Sequence, residues 1–72
     1  MNETELGMYT CHAFWTAIHF RDYKKTPDGV EELKQETVEI ILRNPRLCED
    51  DRRYIAEHLD SKFEEYKFQT FH

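Results

Sequence analysis

MYTCHAFWTAIHFRDY, residues 8–23, is the densest apolar stretch of the chain: nine of the thirteen residues from Met8 to Phe20 are apolar or aromatic. At about 100° per residue its apolar side chains fall on two arcs of a helix. Met8, Cys11, Phe14, Trp15 and Ile18 form one, broad enough to be the core side of an amphipathic helix. Tyr9, Ala13, Ala17 and Phe20 form the other, with His12, Thr16 and His19 between the two. A helix in a small monomer needs one apolar face, and this one has two. Ala13 and Ala17, four apart and flanked by aromatics, would let another backbone approach closely. Either the rest of the chain covers both arcs, or the second arc meets another molecule. Read as a strand, the same stretch would put apolar residues on both faces without alternation, so a helix is the better reading.

Working outward, the chain has 72 residues, enough for one small domain. A core of that size rarely supplies more than about 3–5 kcal/mol, and such chains often lean on disulfides, a metal or a second subunit. Two cysteines, Cys11 and Cys48, are too few for a disulfide framework. Each is expected to serve as a small buried hydrophobe in a reducing, cytoplasmic setting. The opening MNETELG is acidic and does not resemble a secretory leader, and the apolar run is too short for a membrane span. Ten basic against fifteen acidic residues give a net charge of −5. Residues 1–25 are neutral, whereas 26–48 carry −2 and 49–72 carry −3. That distribution argues against a phosphate-binding protein, which needs clustered Lys and Arg. A 14% aromatic content argues for a packed fold over disorder.

Asn2 with Glu5 three residues on has the register of a capping box, so the first helix begins near Glu3, or after Gly7 if that glycine interrupts it. It is expected to run to Lys24, with Lys24 and Lys25 at its negative pole. Thr26-Pro27-Asp28-Gly29 is the clear break: either Thr26 caps with Pro27 at the first helical position, or Asp28 caps with Glu31. The second helix has Val30, Leu33, Thr37, Ile40 and Ile41 on its main stripe, and Val38 and Leu42 off it. Glu39 and Arg43 are placed for an i,i+4 pair. Asn44-Pro45 ends this helix, and Glu49-Asp50-Asp51 suits the start of a third. There Ile55, Leu59, Phe63 and Tyr66 share a stripe, while Phe68 to His72 show no usable period. The expected architecture is a single all-α domain over 1–72: a helical hairpin plus an aromatic N-terminal helix, with helices at about 3–24, 28–43 and 49–67. Five aromatics lie in residues 1–25, none in 26–48 and five in 49–72, which suggests an aliphatic helix between two aromatic ones.

No motif is specific enough to name a reaction. Cys11, His12, His19, Cys48 and His58 could ligate a metal, but CxxC and HxxxH pairs are lacking, and His12 and His19 stand about 10 Å apart on one helix. A Cys–His nucleophile needs an activated thiol in an open cleft. Cys11 is expected in the core, and Cys48 has three acidic neighbours. No cofactor, metal, small-molecule substrate or catalytic activity is therefore expected. The acidic clusters Glu31-Glu32, Glu49-Asp50-Asp51 and Glu64-Glu65 could imitate a phosphate backbone, though Arg52, Arg53, Lys62 and Lys67 interrupt them. A helix-turn-helix reading would use Arg52 and Arg53 as probes, on a helix where acidic residues outnumber basic ones.

The reading that remains is a small cytoplasmic protein–protein interaction module or regulator, a homodimer that binds and modulates another protein. Its expected interface is Tyr9, Ala13, Trp15, Ala17 and Phe20, extended by Tyr54, Phe68 and Phe71, since large aromatics dominate such contacts. His12 and His19 would form a rim sensitive to pH near the usual histidine value of about 6.5. The alternative is a nucleic-acid-directed regulator, either a binder through the third helix or an acidic decoy. In size and acidity the chain resembles the small accessory regulators of bacteria and their phages, a likeness that no motif carries.

Overall fold

The computed structural model describes residues 1–71 as three helices: α1 (Glu3–Phe20), α2 (Pro27–Leu42) and α3 (Glu49–Phe71). Among the described residues there is no strand. The expected all-α, three-helix class is what is observed. The capping box forms: Asn2 Oδ1 accepts the Glu5 N–H at 2.8 Å, and Glu5 Oε1 accepts the Asn2 N–H at 3.0 Å. It starts α1 at Glu3, and the helix passes through Gly7 without interruption. Thr26, not Asp28, caps α2, its hydroxyl accepting the Gly29 N–H at 3.0 Å with Pro27 in the first turn.

The helix ends differ from expectation. α1 stops at Phe20, because Arg21 is extended (φ −101°, ψ 145°). Continued as helix, Tyr23 would point the same way as His12 and Thr16, eleven and seven residues earlier, away from the core. The break instead turns Tyr23 inward to pack beside the core, where it raises the pKa of the Tyr66 phenol. Lys24 and Lys25 consequently lie beyond the helix end, and the Lys25 ammonium sits 3.4 Å from the centre of the Tyr23 ring. α3 overruns its expected end at Lys67, since no glycine or proline follows Pro45 to stop it and Phe71 still packs against the core. His72 lies outside the described residues.

α3 is the central helix. It packs against both α1 and α2, which touch each other least, so the aliphatic helix is not the middle layer. Tyr9 pairs with Asn44 and Arg21 with Glu36, so α1 and α2 run antiparallel. Lys34 meets Glu64 while Arg52 meets Asn44, so α2 and α3 are antiparallel as well, and α1 and α3 are parallel. Ile55, Leu59 and Phe63 of α3 are fully buried, as their stripe predicts. Phe63 meets the Phe14 ring edge-on at 4.9 Å. Val30, Leu33, Thr37 and Ile41 close the core from α2, and Leu47 from the connection. Ile40, placed in that stripe by the sequence reading, is exposed instead.

The larger correction concerns α1. Its buried residues are Leu6, Thr10, Phe14, Ala17 and Ile18, whereas Met8, Cys11 and Trp15, expected in the core, face solvent. The centre of the buried face is Thr10, a residue that a hydrophobic count passes over. Its hydroxyl donates to the Leu6 carbonyl at 2.7 Å, so burial leaves it satisfied. Thr37 does the same on α2, donating to Leu33 at 2.7 Å.

Candidate interaction surface

From Leu6 to Phe20 the chain has no Asp, Glu, Lys or Arg. The inward half of this uncharged helix is buried; the outward half forms a ridge of Met8, Cys11, His12, Trp15 and His19. Trp15, half exposed, stacks on His19 with ring centres 5.1 Å apart and meets the edge of Phe14 at 5.4 Å. A groove flanks the ridge on either side. Towards α3, Phe14 and Trp15 face Lys62, Glu65, Tyr66 and Gln69 across a cleft of about 190 Å³. Towards α2, Tyr9, His12, Ala13 and Thr16 face Ile40 and Ile41 across a cleft of about 310 Å³. This second groove exists because α1 and α2 each pack chiefly on α3. Tyr9 closes one end, its hydroxyl accepting from the Asn44 amide at 3.1 Å. Arg21 closes the other, bonded to Glu36 at 2.6 Å.

The expected interface residues are distributed unevenly over this surface. Tyr9 and Ala13 line the α2-side groove, half-buried against the core. Ala17 is 2% exposed and belongs to the chain's own core. Phe20 is 84% exposed at the end of α1, the most exposed large apolar side chain of the molecule's described part. Trp15 is accessible on the ridge. Tyr54 lies on α3, half-buried and stacked on His58 at 3.9 Å. Phe68 and Phe71 border a cleft with Pro27 at the far end of α3. Fourteen residues of helix, about 21 Å, separate Phe68 from Tyr54, so these two are not brought together. Of the expected histidine rim, His12 lines the groove and His19 stacks on Trp15.

Sequence reasoning missed Met8 and Cys11 as surface residues and missed Ile40, which faces Tyr9, His12, Ala13 and Thr16 across the groove. Their outward position follows only from the rotation of α1 about its axis. Both thiols are free and exposed, contrary to the expectation that they are buried. Among the described residues no three His, Cys, Asp or Glu side chains gather as a metal-binding group, and no helix is long and apolar enough to cross a membrane.

Part of the charge that carried the nucleic-acid alternative is paired within the chain. Lys34 is nearly buried between α2 and α3, its ammonium 2.8 Å from Glu64, 2.9 Å from Asp60 and 3.0 Å from Glu31. Lys67 adds contacts of 2.6 Å to Glu31 and 3.0 Å to Glu64. Lys67 and Lys34 together pull the Glu31 carboxyl down to about 2, and Lys34 and Lys67 also lower that of Glu64. Burial pushes the Lys34 ammonium down, but Glu64, Asp60 and Glu31 outweigh it and leave it raised. Arg52 donates to the Asn44 carbonyl at 2.8 Å, and Arg53 pairs with Glu49 at 3.4 Å. Compared with protein-family models, curated proteins and solved structures, the chain matches none.

Proposed function

We propose that this chain is a non-catalytic protein–protein interaction module that self-associates and binds and modulates another protein, with α1 as its contact helix. One observation carries the reading. In a chain with 35% charged residues, α1 runs fifteen residues without a fixed charge and still presents Met8, Trp15 and Phe20 to solvent. Covering such surface, Met8 and Trp15 on one side of α1 and Phe20 on another, releases its hydration. The groove beside it offers Tyr9 and Ala13 a place against an incoming side chain or helix. A reducing, cytoplasmic setting suits the two free thiols.

The experiment is retention of proteins from source-cell extract on the immobilised chain, compared with Phe20→Glu and Ala13→Glu. A partner of α1 is held by the native chain and lost from both variants. An unchanged set of retained proteins defeats the reading. Retention of duplex DNA that declines with salt would favour the nucleic-acid-directed alternative.

A further inference from the structure

We draw no further inference here: the strongest candidate, the exposed ridge of Met8, Cys11 and Trp15 along α1, is an unpartnered apolar face, and nothing in the structure shows what covers it.

Discussion

Gly7 and Gly29 are both helical, and the same substitution should act on them with opposite sign. A Cβ at Gly7 would meet nothing within 4 Å, and neither glycine has a positive φ. Gly7→Ala should therefore stabilise the chain by about 0.5–1 kcal/mol, by removing freedom from the unfolded state. At Gly29 a Cβ would collide with the Lys24 carbonyl, a backbone atom that cannot yield unless the whole connection shifts. Gly29→Ala should cost about 1–3 kcal/mol, the range for overpacking. Urea unfolding midpoints at constant slope would show both effects. The sequence marks Gly29 as part of a break, but the reason for it, the close pass of Lys24, is a contact between segments and is invisible locally.

At the scale of elements, the α2–α3 seam makes stability depend on acid. The Glu31 carboxyl lies at about 2 when folded against an ordinary 4.5. Its contribution is thus fully present above pH 4.5 and is lost as pH falls towards 2. Thermal midpoints should fall through that window, and Glu31→Gln should flatten part of the slope. Lys34 is raised, so its share persists through neutral pH and is lost only above the ordinary ammonium range. Lys34→Ala would leave Asp60 without its cation and Glu31 and Glu64 sharing Lys67 alone. Because Asp60 and Glu64 are about half exposed, solvent screens much of the charge left over, and a loss of about 1–2 kcal/mol in chemical denaturation is expected. The start of α1 was legible because capping is local, Asn2 with Glu5, and that of α3 because Glu49, Asp50 and Asp51 suit a positive helix pole; at α2 the sequence left Thr26 and Asp28 both open as caps. The ends were not legible, because Tyr23 leaves the helix to pack on the core and Phe71 extends α3 to reach it.

For the whole molecule, the orientation of α1 can be tested on two adjacent residues. Phe14 is 6% exposed and Trp15 52%. Phe14→Ala should cost about 3–5 kcal/mol, comparable to all that a core of this size supplies, so helical circular dichroism should collapse. Trp15→Ala should leave the fold intact and change association alone. Equal losses from the two would mean that α1 is turned as its apolar arcs suggested, with Trp15 inside.

The number of helices, their class and the starts of α1 and α3 were determined by the sequence by itself, through a capping box, an acidic first turn and apolar spacing that act over a few residues. The stripe of α3 was legible in the same way, since Ile55, Leu59 and Phe63 are apolar enough to have only one inward side. Only the tertiary structure decided which side of α1 is buried. With apolar residues all around that helix, spacing alone does not choose, and Thr10, satisfied by Leu6, takes the centre once α3 and α2 are both in place. The same long-range packing put Lys34 among three carboxylates and left Met8, Cys11 and Trp15 in water.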